Sequence, residues 1–179
     1  MYDCENHFGG ICMKSQTART LSLTAMLTAL TCAATMVIRI PTPTGGYVNL
    51  GDTLVLLSAV LLGPGLGMIA AGIGSALSDF LAGYMLWVPA TLIIKGLMAL
   101  VGGWLYRKSK KLLLAGLPAE MIMILGYFLF EAVLVGQGLG AAAGIPGNMI
   151  QAVFGLIAAT ALVKVLQKNS YLRELFPNL

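Results

Sequence analysis

The sequence predicts an all-α membrane protein, with six transmembrane helices in a compact bundle and both termini in the cytoplasm. Of its 179 residues, 58% are hydrophobic and only 10% are charged, whereas a soluble domain has about a quarter charged residues. The apolar runs are continuous rather than alternating, which favours helices over a β-barrel. Frequent glycine and alanine suit close helix packing in lipid. At this length the chain forms one membrane domain.

Six apolar segments predict the six helices. Crossing a bilayer needs about 20 helical residues, and the second segment is shorter than that. The predicted spans are residues 19–40, 50–62, 66–83, 88–106, 112–137 and 145–164.

Polar segments flank this membrane domain, which covers residues 19–168. Residues 1–18 are expected to be a disordered cytoplasmic leader, because they lack the apolar core of a signal peptide. Met13 is an alternative start within it. Residues 169–179 are expected to form a cytoplasmic tail.

Basic residues predict the orientation of the bundle. They cluster at residues 14–19, 107–111 and 164–173, between or beside the apolar segments. Six crossings place all three clusters on one face, and the excess of Lys and Arg makes that face cytoplasmic. Five crossings would separate the last two clusters. Because the net charge of +4 arises from these clusters, we expect a lipid bilayer as partner and no nucleic acid.

Polar residues near the outer ends of the spans predict a pocket. A bare charge in the bilayer costs at least a few kcal/mol, so these side chains must face protein, water or a ligand. The inner halves of the spans carry almost no ionisable side chains, which favours an outward-facing pocket over a through-channel. The candidate substrate-binding residues are Asn49, Asp79, Tyr84, Trp87, Lys95, Glu131, Asn148 and Gln151.

The charged candidates also have structural interpretations. Asp79 and Lys95 can form an ion pair between neighbouring spans. Glu131 can contact a ligand or pair with Lys95 or a backbone group. Asn49 and Asp52 can cap the second helix, since Asn and Asp cap well and negative charge suits a helix N-terminus. Capping is the favoured interpretation of Asp52.

The uncharged candidates have alternatives as well. Tyr84 and Trp87 suit either the aromatic belt at a membrane interface or stacking on a flat ligand. Asn148 and Gln151 are three residues apart and share one helix face. Their amides can donate to and accept from a heteroaromatic edge, or join helices by hydrogen bonds.

Two further features concern partners and chemistry. Ala25, Ala29 and Ala33 form a stripe of small residues on the first helix, which permits close docking of another helix from a partner or from this chain. The glycine- and proline-rich loop 41–49 suits a movable lid. There is no catalytic set, metal cluster or nucleotide-binding motif, so neither an enzyme nor a metal site is expected.

Over about residues 17–166 the chain resembles the substrate-binding S component of energy-coupling factor (ECF) vitamin transporters, in the riboflavin, hydroxymethylpyrimidine and pyridoxine group. The matching stretches are GYVNLGDTLVLLSAVLLGPGLGMIAAGIGSALSDFLAGY, WVPATLIIKGL, EMIMILGYFLFEAVLVG and IPGNMIQ. The resemblance implies six helices, an outer pocket capped by loops, and location in a prokaryotic plasma membrane. It implies that Ala25 and Ala29 dock on a transmembrane coupling protein and that two cytoplasmic ATPases use ATP. It implies no cofactor in this chain.

The substrate stays open at this point. Pyridoxine or a hydroxymethylpyrimidine-like thiamine precursor ranks first, followed by a queuosine precursor, riboflavin and cobalamin. The alternatives from other classes are a solitary proton-coupled transporter, with Asp79, Lys95 or Glu131 as proton carriers, and an assembly subunit that binds no small molecule.

Overall fold

Long apolar helices make up most of the computed structural model, which describes residues 9–176, 178 and 179. The α-helices are α1 (Gly9–Val37), α2 (Gly51–Leu81), α3 (Val88–Ser109), α4 (Leu112–Leu129), α5 (Ile145–Leu166) and the short α6 (Ser170–Leu175). A π-helical turn, Phe130–Leu134, extends α4, and a 3₁₀ segment, Gly138–Gly144, leads into α5.

Five helical segments are long and apolar enough to cross a membrane. They are Ala18–Val37, Gly51–Leu81, Val88–Ser109, Leu112–Leu134 and Gly138–Leu166. Their positions agree with the predicted spans, except that the second and third predicted spans fall within the single segment Gly51–Leu81.

That segment is broken at Gly63, where φ is 78° and ψ is −178°, and Pro64 follows. A Cβ placed on Gly67 would lie 2.9 Å from the Cα of Ala59, whereas eight residues of straight helix span about 12 Å. The chain therefore reverses at Gly63, and residues 51–62 pack against residues 64–81 as a helical hairpin. The reversal falls in the short gap between the predicted second and third spans, residues 50–62 and 66–83.

Helices extend into both of the segments that the sequence places outside the membrane domain. α1 begins at Gly9, so the prediction of a disordered leader is wrong for residues 9–18; residues 1–8 lie outside the described part. The predicted tail contains α6 and then packs back on the bundle. Phe176 is only 6% exposed, and the Asn178 side chain donates to the Leu61 carbonyl at 3.4 Å.

The loop predicted as a lid forms a short antiparallel hairpin, with strands β1 (Arg39–Pro41) and β2 (Tyr47–Asn49). Its turn is closed by a hydrogen bond of 3.0 Å from the Thr42 N–H to the Gly46 carbonyl. Gly45 has a φ of 87°, which favours glycine.

The α2 hairpin is central, packing against α1, α3 and α5. Val55, Leu56 and Val60 of α2 are fully buried with Met98 of α3 and Met123 of α4. Glycines allow close approach: a Cβ on Gly103 would lie 3.0 Å from the Ala59 carbonyl oxygen. This packing brings both ends of the α2 hairpin, and the β-hairpin, to the same end of the bundle.

Candidate functional site

A cavity lies beneath the β-hairpin, where α2 ends, α3 and α5 begin and α4 passes into its π-helical turn. It contains about 390 Å³ of space outside protein atoms, including space open to solvent, and about 30 Å³ that admits the centre of a water molecule. The cavity is lined by Thr42, Gly46, Tyr47, Asn49, Asp79, Trp87, Thr91, Tyr127, Glu131, Asn148 and Gln151.

Most of the candidate residues meet at this cavity. Six of the eight line it: Asn49, Asp79, Trp87, Glu131, Asn148 and Gln151. Tyr84 lies behind the wall, with its ring centroid 4.8 Å from that of Tyr47 and 5.9 Å from that of Trp87. Lys95 lies outside the lining. The role of all eight in binding a substrate stays a prediction.

Lys95 pairs with Asp52, so the predicted pairs with Asp79 or Glu131 are wrong. Asp52 is fully buried, and its second oxygen accepts from the Gln151 side chain at 2.7 Å. The capping interpretation of Asp52 is also wrong, because its carboxylate points to α3 and α5 rather than to the N–H groups of its own helix. A buried ion pair is tolerated when further donors satisfy its remaining oxygens, as Gln151 does here.

Gln151 and Asn49 join β2 to two helices. The Gln151 side-chain oxygen accepts from the Asn49 backbone N–H at 2.7 Å. The Asn49 side-chain oxygen accepts from the Gly51 backbone N–H at 2.7 Å, which supports the start of α2 as the capping interpretation of Asn49 predicts. Both ends of the Gln151 amide are therefore committed within the protein, so Gln151 shapes the pocket through β2. Its neighbour Asn148 lines the cavity and is also buried.

Asp79 is held by a tyrosine that sequence reasoning missed. The Tyr47 hydroxyl donates to the Asp79 carboxylate at 2.5 Å. Burial and the adjacent Asp79 raise the pKa of Tyr47, so this hydroxyl remains a donor at physiological pH. The bond fixes β2 over the end of α2.

Glu131 lies on the π-helical turn, a feature that often re-aims side chains at functional sites. One of its oxygens accepts from the Thr44 hydroxyl at 3.0 Å. Its Oε2 and the Trp87 Nε1 are buried without a hydrogen-bond partner in the part of the chain described. A Cβ on Gly46 would lie 3.5 Å from both Glu131 Oε1 and Trp87 Nε1. Glu131 and Trp87, which both line the cavity, thus each carry one polar atom that is buried without a partner.

Several polar residues of the site gave no sequence signal. Thr42, Tyr47, Thr91 and Tyr127 carry hydroxyls, which are common in membrane helices and loops and mark no pocket by themselves. The Thr91 and Tyr127 hydroxyls lie 3.0 Å apart across α3 and α4. Glu120 was also missed, although a buried carboxyl in mid-helix is a signal in its own right.

The alanine stripe lies on the opposite side of α1 from the core. Ala25, Ala29 and Ala33 are all exposed. The alternative that they pack within this chain is therefore wrong, and the stripe is accessible to another helix.

The fold and the pocket define a helical membrane protein with a small, polar cavity at one end of its bundle. A family model described as "ECF-type riboflavin transporter, S component" matches residues 15–168, and the chain belongs to this family.

The chain is also similar to three other proteins. An uncharacterized protein in gap 3'region of Pyrococcus woesei is 41% identical over 139 residues, which cover 75% of this chain and 93% of the relative. The thiamine precursor transporter HmpT of Lactococcus lactis subsp. cremoris (strain MG1363) is 28% identical over 162 residues, covering 89% and 95%. A solved S component of a bacterial ECF transporter shares the fold, with a TM-score of 0.68 and 22% identity over 85% of this chain and 97% of that one.

The chain is therefore a multi-pass membrane protein and the S component of an ECF-type transporter for a vitamin or vitamin precursor, not an enzyme. The resemblance drawn from the sequence is confirmed.

Proposed function

We propose that the substrate is a single-ring, hydrogen-bonding heterocycle of the hydroxymethylpyrimidine or pyridoxine type, with the aminopyrimidine preferred. The observation that carries this proposal is that two residues of the cavity lining, Glu131 and Trp87, each keep an unmet polar atom, Oε2 and Nε1. A buried polar atom without a partner costs about 1–3 kcal/mol, so both atoms favour a polar occupant.

An aminopyrimidine matches that pair chemically. It carries an amino N–H donor next to a ring-nitrogen acceptor. A carboxylate oxygen takes the former bond, and an indole N–H gives the latter. Asp79 and Asn148 supply further polar groups on the same lining. The name of the relative HmpT, a thiamine precursor transporter, supports the same class.

The size of the cavity supports a small substrate. The space of about 30 Å³ that admits the centre of a water molecule is far below the range for ligand pockets, about 300–1,000 Å³, so even a single ring requires the β-hairpin to move. Riboflavin is the second candidate, because the family description names it. Its three fused rings and ribityl chain would need the β-hairpin to move further, and cobalamin further still.

The proposed topology has six crossings, with the α2 hairpin supplying two. The contact of Arg107 with Gly63 and the bond from Lys110 to the Asn178 carbonyl place the basic residues 107–111 at the end opposite the pocket. The excess of Lys and Arg on cytoplasmic loops favours that end as the inner one. The pocket then opens outward, and both termini are cytoplasmic in a prokaryotic plasma membrane.

The partners follow from the family. We expect a transmembrane coupling protein to dock on the Ala25, Ala29 and Ala33 stripe and two cytoplasmic ATPases to use ATP. The S component would capture its substrate outside and release it inside without a cofactor of its own.

Binding measurements with a panel of ligands test the proposed substrate class. The purified protein is titrated calorimetrically with 4-amino-5-hydroxymethyl-2-methylpyrimidine, pyridoxine, riboflavin, a 7-deazaguanine queuosine precursor and cobalamin. We expect the aminopyrimidine to bind tightest. Tighter binding of riboflavin or of a bicyclic or larger compound would contradict the proposal. Native mass spectrometry of the same sample identifies any heterocycle that copurifies.

A further inference from the structure

A buried glutamate that the pocket does not use lies in the middle of α4. Glu120 is 3% exposed, and it stands eight residues, about 12 Å, from the start of α4 at Leu112. Neither of its carboxyl oxygens has a hydrogen-bond partner in the part of the chain that the structure describes. An ionised carboxylate at this depth would be costly.

Glu120 faces a second carboxyl. Gly155 of α5 makes room for both acids: a Cβ there would lie 2.8 Å from the Asp52 Cβ and 3.4 Å from Glu120 Oε1. Asp52 already accepts from Lys95 and from Gln151. Two acids therefore share a buried site with one lysine.

The other groups around Glu120 do not balance its charge. From α3 it faces Lys95, which is engaged with Asp52. From α5 it faces Gly155, which carries no side chain. On its own helix, Tyr127 lies two turns further along, with its ring centroid 5.6 Å from the Lys95 amine. With both acids ionised, the site would carry a net charge of −1 in a low-dielectric interior.

We propose that Glu120 is a proton-binding site, holding a proton taken from solvent and donating its O–H to Asp52. One proton makes the site neutral, with Asp52 ionised, Lys95 charged and Glu120 a neutral acid. It also supplies the donor that the Glu120 oxygens otherwise lack. Uptake forms one O–H bond and involves no redox change.

The protonation state of Glu120 also affects the pocket, because a short chain of hydrogen bonds connects the two. Asp52 holds the Gln151 amide, and the Gln151 oxygen holds the Asn49 N–H at the end of β2. A deprotonated Glu120 competes with Asp52 for Lys95 and disturbs this chain. Ligand binding is then lost as pH rises; this consequence rests on the proposed function, whereas the proton itself does not.

Infrared spectroscopy of the full-length, ligand-free protein tests for the proton. We expect wild type at neutral pH to show a C=O stretching band of a protonated carboxylic acid that Glu120→Gln lacks. Glu174→Gln on exposed α6 is the matched control and keeps the band. Equal bands in wild type and Glu120→Gln overturn the proposal.

A second measurement avoids dependence on one variant. In wild type the same band disappears reversibly as pH is raised, and in Asp52→Asn it is weakened or lost at neutral pH, because an ionised Glu120 then balances the charge of Lys95. A band that neither titrates nor weakens places the proton on another residue and overturns the proposal.

The link to the pocket has its own readout, using the tightest ligand of the panel. In wild type the affinity falls about tenfold for each pH unit above the pH at which Glu120 loses its proton. In Glu120→Gln the affinity does not change with pH. Parallel falls in both proteins overturn the link and leave the substrate assignment untouched. Absence of binding to every compound of the panel counts against the proposed function, and the infrared result still decides the proton.

Discussion

Carboxylates of the pocket have one oxygen that accepts a hydrogen bond from within the protein, which leaves the other oxygen for a ligand. Glu131 gives one oxygen to Thr44, and its other oxygen has no partner among the described residues. Asp79 is held at one oxygen by Tyr47. Such partial satisfaction fixes each carboxylate in position while it keeps capacity to bind a ligand, which lowers the entropy lost on binding.

Glu131→Gln tests the unmet oxygen. The substitution keeps the shape but replaces a charged acceptor, and hydrogen bonds to charged groups contribute about 1.5–3 kcal/mol. We therefore expect affinity for the aminopyrimidine to fall about 10- to 100-fold, measured by calorimetry. Glu174→Gln, on the exposed α6, is the control. An unchanged affinity would assign Glu131 to holding Thr44 alone.

The depth of the polar residues in the membrane was predictable from the sequence, whereas the choice of ion-pair partners was not. Spacing along each helix placed Asp52, Asp79 and Lys95 near one membrane surface, since each residue advances a helix by about 1.5 Å. Rotation about the helix axes decides which carboxylate reaches the lysine, and the sequence does not specify it. For this reason the sequence left an Asp79–Lys95 pair as one interpretation, whereas the structure pairs Lys95 with Asp52.

At the scale of elements, the break at Gly63 was predictable because glycine and proline interrupt a helix for known reasons. The β-hairpin was not, because strands of three residues are too short to show an alternating pattern. The π-helical turn under Glu131 also leaves no mark in the apolar run of α4. The element boundary marked by helix-breaking residues was therefore predictable, whereas the elements that depend on tertiary contacts were missed.

Gly67→Leu tests the α2 hairpin. A side chain there meets the backbone of Ala59 at 2.9 Å, and overpacking of this kind costs about 1–3 kcal/mol. We expect a lower midpoint of thermal unfolding in detergent, measured by differential scanning fluorimetry.

Gly65→Leu is the matched control, since a Cβ on Gly65 has nothing within 4 Å. Its unfolding midpoint should stay near that of wild type. Equal effects of the two substitutions would argue against close packing of residues 51–62 on 64–81.

For the whole molecule, the fold class and the family followed from the sequence, because continuous apolar runs have few physical solutions. The substrate class did not, and the proposal for it rests on unmet atoms that only the assembled pocket reveals. The alanine stripe was predictable only in part. Its spacing was visible, whereas its exposure on α1 required the structure.

Ala29→Leu tests the docking face of the molecule. A larger side chain at an exposed small-residue position prevents close approach of a partner helix. We expect uptake in cells that contain the coupling proteins to fall at least about tenfold, as a lost contact worth about 1.4 kcal/mol would give. Calorimetric affinity for the substrate should not change.

Ala161→Leu is the control, because Ala161 is an exposed alanine on α5, away from the stripe. It should leave uptake intact. A loss of uptake in both variants, or a loss of binding in Ala29→Leu, would contradict the docking role.

The β-hairpin has a kinetic consequence. Its residues line the cavity and are anchored at Thr44–Glu131, Tyr47–Asp79 and Asn49–Gln151. We expect a molecule bound as proposed to leave by this route only after those anchors separate together, so that its residence time is set by that rare event rather than by the strength of its own contacts. In the proposed topology, escape back to the outside would then be slow, which would give the coupling machinery time to act on each captured molecule.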